Sequence, residues 1–246
     1  MSLSLSNFTI VLVETSHPGN IGAVARAMKN MQMSSLRLVS PLLFPNADAT
    51  SRASGADDIL VNAGVFANLN EAIADCQIVL GASARDRTIA WPSLTARECA
   101  NQFVTQDASN QRIALVFGRE NSGLTNEELD LCHYLLRIPC NPEFSSLNLA
   151  QAVQVVCYEL FVAASGHFQA SEEASQLLEA PLATARQMEL FYEHLYQTLD
   201  DIGFLHQDKS QSIMRRLRRI FNRAVLDSKE VDILRGIFRF SQNHNQ

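Results

Sequence analysis

The sequence predicts an α/β domain with a mostly parallel sheet, followed by a small all-helical unit. Three observations predict it. Short apolar runs alternate with helical patterns through the first two thirds of the 246 residues. Several of these runs are apolar throughout, as strands covered on both faces require. After Ser165 and Gly166 the pattern changes to three helical stretches.

The first run, Phe8 to Glu14, is too short for a helix and rich in β-branched residues, so it predicts a strand. A turn-forming stretch, Ser16 to Asn20, precedes a helix over Ile21 to Met31. Further strands are expected at Leu36 to Val39, Val65 to Phe66, Ile78 to Gly81, Ile113 to Phe117 and Tyr134 to Ile138. Helices are expected near 47–54, 69–75, 94–105 and 124–130. A long helix from Leu147 to Ala164, apolar almost all round, closes the domain and calls for cover on more than one side. Residues 166–183 lack periodicity and predict a linker. Helices follow at about 184–200, 210–224 and 228–241, with Thr184 and Gln187 spaced as a capping box and Ser228 as a helix start. The predicted division is therefore 1–165, a linker at 166–183, and 184–246.

Composition bounds the function. With 47% hydrophobic and 19% charged residues a sizeable core is available. No apolar run approaches the ~18 residues of a membrane span, and residues 1–7 lack a basic segment with an apolar stretch and cleavage site. A soluble cytoplasmic protein is expected. Five cysteines without a C-x-x-C pair and six histidines without ligand spacing give no support for disulfides or a metal. The formal net charge of −6 does not suggest a nucleic-acid binder, but its distribution is uneven. Residues 209–223 carry +6 through Lys209, Arg215, Arg216, Arg218, Arg219 and Arg223, whereas 167–208 carry −7. Two readings of that helix stay open: phosphate contact, or pairing with the acidic helix before it.

Nucleotide fingerprints are missing: neither G-x-G-x-x-G nor G-x-x-x-x-G-K-[ST] occurs, which demotes dinucleotide oxidoreductases and P-loop enzymes. The segment Gly81-Ala-Ser83-Ala-Arg85 lacks the second glycine of a hydrolase elbow. Three other segments combine better. Asn20-x-Gly22-x-x-x-Arg26 opens the first helix. Phe117-Gly118-x-Glu120-x-x-Gly123-Leu124 leaves a strand end. Ile138-Pro with Ser145-Ser146-Leu147-Asn148 joins the last strand to the long helix. The later two sit at carboxyl ends of strands, where α/β proteins bind ligands, and serines before a helix N-terminus can hold a polar group.

In that succession the three segments resemble the motifs of SPOUT-class RNA ribose 2′-O-methyltransferases. Longer stretches, Ile10 to His17, Ala25 to Lys29, 81–87 and Asn141 to Asn148, are similar to the members of that class that modify cytidine and uridine in bacterial tRNA. The likeness extends into the helical tail. It implies a C-terminal deep trefoil knot that binds S-adenosylmethionine, and a homodimer with active sites at the subunit interface. Sequence periodicity alone would have given an ordinary doubly wound sheet, since topology rules disfavour knots.

Carried over by position, the cofactor would lie against Ala82, Ser83, Ala84, Gly118, Ile138, Ser145, Ser146 and Leu147. Many close members of the class have Thr where Ala82 stands, so any hydroxyl contact there is lost. Arg26 corresponds to the catalytic arginine, with Asn20, Glu120 and Ser146 in the same site and Gly22 and Asn148 as structural motif residues. RNA contact would fall to Arg26, Arg215, Arg216, Arg218, Arg219 and Arg223. The implied reaction is methylation of the ribose at position 32 of the tRNA anticodon loop, without a metal. The alternative is a related enzyme acting on another tRNA position or on rRNA. From another class, a non-catalytic RNA-binding scaffold would need neither Arg26 nor Ser146.

Overall fold

A computed structural model describes residues 5–84, 91–104, 111–165, 180–205 and 210–243. Its centre is a seven-stranded sheet in the order β3-β2-β1-β6-β4-β7-β5, with every pairing parallel. The strands are β1 (Phe8–Val13), β2 (Ser35–Val39), β3 (Gly64–Phe66), β4 (Ile78–Ala82), β5 (Ser93–Thr95), β6 (Ile113–Phe117) and β7 (Tyr134–Arg137).

Why the central runs are apolar throughout follows from the two faces. Phe8, Ile10 and Leu12 of β1, with Ile113, Leu115 and Phe117 of β6, join one core. Val11 and Val13, with Ala114 and Val116, join the other. The first core is closed by α1 (Pro18–Asn30), α2 (Ala47–Ala53), α3 (Asp57–Val61), α5 (Ala96–Val104) and α7 (Leu149–Ala164). The second lies under α4 (Leu69–Ile73) and α6 (Asn126–Asp130). A third cluster belongs to the tail, where α8 (Ala185–Asp201), α9 (Ser210–Ala224) and α10 (Ser228–Asn243) pack around Phe191. Its ring meets Phe221 edge-on at 4.9 Å.

Several boundaries differ from expectation. Helix α1 begins at Pro18 rather than Ile21, because proline is pre-set for the first helical turn. The long helix begins at Leu149, not Leu147: Asn148 is the N-cap and accepts from the Ala150 N–H at 2.9 Å. Residues 94–95 are strand, and Thr95 and Glu98 then cap α5 reciprocally. The three-residue β5 and single-turn α3 were not expected at all. As expected, helix α8 starts with the Thr184–Gln187 capping box and α10 starts at Ser228, with Asp227 and Glu230 capping it reciprocally. Of the expected linker, 166–179 lies outside the described residues. Leu182 and Ala183 are buried, the Ala183 N–H donates to Leu226 O at 2.9 Å, and the Ala185 N–H donates to Cys76 O at 2.7 Å. The last of the linker thus docks the tail onto the sheet domain.

Candidate active site

At the carboxyl ends of β4, β6 and β7 lies a cavity of about 240 Å³. All eight residues expected to face a cofactor line it: Ala82 to Ala84, Gly118, Ile138, and Ser145 to Leu147. The Ser83 N–H donates to Leu136 O at 3.1 Å, joining the floor of β4 to β7. Leucine and isoleucine faces from Leu136, Ile138 and Leu149 alternate with the hydroxyls of Ser83, Ser145 and Ser146. Such a lining suits a ligand with both apolar and hydrogen-bonding edges.

The turn after β6 forms one wall. Residues Arg119 and Gly123 bond to each other through both backbones, at 2.9 and 3.2 Å. A Cβ on Gly118 would stand 2.2 Å from Gly123 C and 2.4 Å from Leu124 N, so only glycine lets this turn fold back on itself.

Beside the cavity, Glu120 reaches across to the start of α1. It accepts from Ser16 N at 3.1 Å, Ser16 Oγ at 3.0 Å, His17 N at 3.2 Å and Asn20 Nδ2 at 3.0 Å. Helix α1 has no side-chain cap of its own at His17. A carboxylate from another strand end supplies the anion that its amino end favours. Partial burial raises the Glu120 pKa, but these donors outweigh it and hold the group at about 2.

The hydrogen bonds fix every amide in sequence. A carboxylate only accepts, so Asn20 must present its NH₂ to Glu120 and its oxygen elsewhere. That oxygen accepts from Asn148 Nδ2 at 3.1 Å, which turns the Asn148 oxygen onto the Ala150 N–H. Glu120, Asn20 and Asn148 therefore form one chain joining β6, α1 and α7.

Gly22 lies two residues further along α1, where a Cβ would meet Ala49 O at 2.0 Å; the glycine lets α2 pack against the helix backbone. Arg26 is exposed, and among the described residues it has no hydrogen-bond or ion-pair partner. It is not part of the cavity wall of its own chain.

The arginines of α9 divide. Arg215 binds Asp130 of α6 through Nε at 2.8 Å and Nη2 at 3.3 Å. Arg218 forks onto Glu189 of α8, with Nη1 at 2.9 Å, and stacks 4.3 Å over the Tyr192 ring. Arg219 is partly buried, while Arg216 and Arg223 are exposed. Lys209 and residues 85–87 lie outside the described residues. Sequence reasoning missed Ser16 and His17 as partners of Glu120, and it gave no role to Arg119, which stands inside the second motif and ion-pairs with Glu14 and Glu128. Among the described residues no group of three or more His, Cys, Asp or Glu side chains is placed to hold a metal.

The SpoU rRNA methylase family model matches residues 7–158, and that of the C-terminal domain of the tRNA methyltransferase TrmJ matches 186–246. The chain is 51% identical over 243 residues to the tRNA (cytidine/uridine/adenosine-2′-O-)-methyltransferase TrmJ of Pseudomonas aeruginosa, covering 97% of this chain and 95% of that one. It is 48% identical to the tRNA (cytidine/uridine-2′-O-)-methyltransferase TrmJ of Salmonella typhimurium, with 98% and 99% covered. The crystal structure of TrmJ from Z. mobilis superposes with a TM-score of 0.81 at 34% identity, over 94% of this chain and 97% of that one. With its cavity, its Glu120–Asn20–Asn148 chain and its helical tail, the chain belongs to the SpoU methylase family, in the branch that carries the TrmJ C-terminal domain.

Proposed function

We propose that the chain is an S-adenosylmethionine-dependent methyltransferase that methylates the ribose 2′-hydroxyl of cytidine or uridine at position 32 of the tRNA anticodon loop. The observation that carries this reading is the convergence of all eight expected cofactor residues on one cavity beside the Glu120–Asn20–Asn148 chain. Near full-length relatives that are tRNA (cytidine/uridine-2′-O-)-methyltransferases support the substrate. The alternative is the same chemistry at another tRNA position or on rRNA.

Bound in the cavity, S-adenosylmethionine would supply an electrophilic methyl group. The chain's own residues must orient the ribose and manage its proton. A guanidinium stays protonated and has no acceptor lone pair, so Arg26 does not act as the base. Arg26 fixes the ribose-phosphate and stabilises the oxyanion that develops on the 2′-oxygen. The proton leaves to a phosphate oxygen, to water or to Ser146, which lies in the cavity wall.

Two further features belong to the same reading. A deep trefoil knot is supported by β7, which enters between β4 and β5 although both precede it in the chain. A homodimer with shared active sites is supported by two observations. Phe144 and Leu147 before α7, and Val155 and Tyr158 midway along it, are exposed, and Arg26 is absent from its own cavity wall. A second copy covering the first group and supplying the arginine satisfies both. The tail, from about 184 onward, binds tRNA in the cytoplasm through the outward arginines Arg216 and Arg223. No described helix is long and apolar enough to cross a membrane.

Incubation with methyl-labelled S-adenosylmethionine and total tRNA, followed by mapping of ribose methylation, tests the reading. Label on the 2′-oxygen of pyrimidine 32 is expected. Label at another tRNA position, or only in rRNA, replaces the site assignment with the alternative, and no transfer to RNA overturns the reading.

A further inference from the structure

Arg119 stands between Gly118 and Glu120, and its guanidinium is held by two carboxylates from different elements. Nε and Nη2 donate to Glu14 at 2.8 and 2.5 Å, while Nη1 and Nη2 donate to Glu128 at 3.0 Å each. Nη1 also reaches Gly123 O at 3.5 Å. Arginine has five N–H donors, and these contacts occupy all of them. The side chain borders the cavity yet has no donor left for a ligand there. The two carboxylates raise its pKa further above the ordinary arginine value.

What the two carboxylates hold matters as much as the arginine. Glu14 follows β1 directly, in the left-handed backbone region at φ 47°, and two residues later Ser16 begins the donors that bind Glu120. Glu128 accepts from the Thr125 N–H at 2.7 Å in the capping box of α6. Arg119 therefore ties the cavity turn to the end of β1 on one side and to α6 on the other. Neither Glu14 nor Glu128 lines the cavity.

We propose that Arg119 is a positioning residue for methyl transfer: by bridging Glu14 and Glu128 it holds the turn from Gly118 to Leu124 in the shape that receives the cofactor and aims Glu120 at the start of α1. The assignment rests on the functional reading above. It departs from ordinary surface pairing because the geometry is a double fork with a side chain only 23% exposed.

The test uses the full-length chain and three variants: Arg119→Met, Arg119→Lys, and the double variant Glu14→Gln/Glu128→Gln. Titration calorimetry gives S-adenosylmethionine affinity, single-turnover transfer to tRNA gives the chemical step, and thermal unfolding gives stability. Arg119→Met is expected to weaken cofactor binding about tenfold or more, with a smaller loss of rate at saturating cofactor. The double variant is expected to reproduce that loss although it alters no cavity residue, and Arg119→Lys to recover part of it through one carboxylate. If Arg119→Met loses affinity while the double variant binds normally, Arg119 touches the cofactor directly and the assignment fails. It also fails if melting falls while the affinity of the folded protein is unchanged. A wild-type chain that binds no S-adenosylmethionine would instead overturn the functional reading. Normal wild-type binding with all variants unchanged would overturn this proposal alone.

Discussion

Two arginine-bearing helices differ in what holds their arginines. At the start of α1, Ser16 and Asn20 both donate to Glu120 and anchor the helix there, while Arg26 stays exposed and without a partner among the described residues. On α9 the charge is denser, yet Arg215 and Arg218 are held by Asp130 and Glu189, the first fastening the tail to α6 and the second joining α9 to α8 within the tail. A dense run of arginines in a sequence therefore does not separate those held by carboxylates from those left exposed. An isolated arginine beside an already satisfied polar chain is the stronger candidate for chemistry.

The largest effect that would break this contrast is at the cavity turn. Gly118→Val places a branched side chain on a Cβ position 2.2 Å from backbone, and overpacking of this kind costs about 1–3 kcal/mol or more and displaces the turn that lines the cavity. Loss of measurable S-adenosylmethionine binding is expected, with normal binding refuting the close fit. Next comes Glu120→Gln, which removes the charge that four donors face. Charge-assisted hydrogen bonds contribute roughly 1.5–3 kcal/mol, so turnover should fall by about 10- to 100-fold. The same variant tests linkage. The Glu120 pKa is lowered from 4.5 to about 2 in the folded chain, so its stabilisation is present above pH 4.5 and lost as pH falls toward 2. Melting curves of Glu120→Gln should lack that component of acid sensitivity.

On the tail, Asp130→Ala leaves Arg215 without its partner at the junction, and Glu189→Ala does the same to the more buried Arg218. Each should lower unfolding stability by about 1–3 kcal/mol, less than a fully buried pair because water still screens both. Affinity for S-adenosylmethionine should not change. The smallest effects are expected from Arg216→Ala and Arg223→Ala: a weakening of tRNA binding by a few-fold, a log–log salt slope shallower by about one per arginine, and stability within about 0.5 kcal/mol of wild type. If these variants destabilise the fold while Asp130→Ala does not, the division between inner and outer arginines is wrong.

The fold was legible where local pattern and tertiary demand agree. Strands β1 and β6 are apolar on both faces because both faces are covered, and Thr184 with Gln187 announces α8 from four residues alone. Strand β5 was not legible: three residues, Ser93 to Thr95, gain their conformation from pairing with β7. The start of α1 was hidden for a different reason. Pro18, Gly19 and Asn20 are turn formers, and the carboxylate that stabilises them as a helix end is a hundred residues away in sequence. Motif spacing identified Asn20, Glu120 and Asn148 singly, but the hydrogen bonds that make them one chain exist only after folding. Nor could adjacency in sequence tell Arg215 from Arg216, since the choice depends on where α6 comes to rest.

The proposed division of labour between Arg26 and the cavity is tested most directly by Arg26→Ala, with S-adenosylmethionine affinity and single-turnover transfer to tRNA measured on the same preparation. Removal of an oxyanion-stabilising donor costs about 10²–10³ in rate. With the loss of the phosphate contact added, transfer should fall below detection while cofactor affinity stays within about twofold of wild type. Loss of both would assign Arg26 a structural role, and retained transfer would remove it from the reaction.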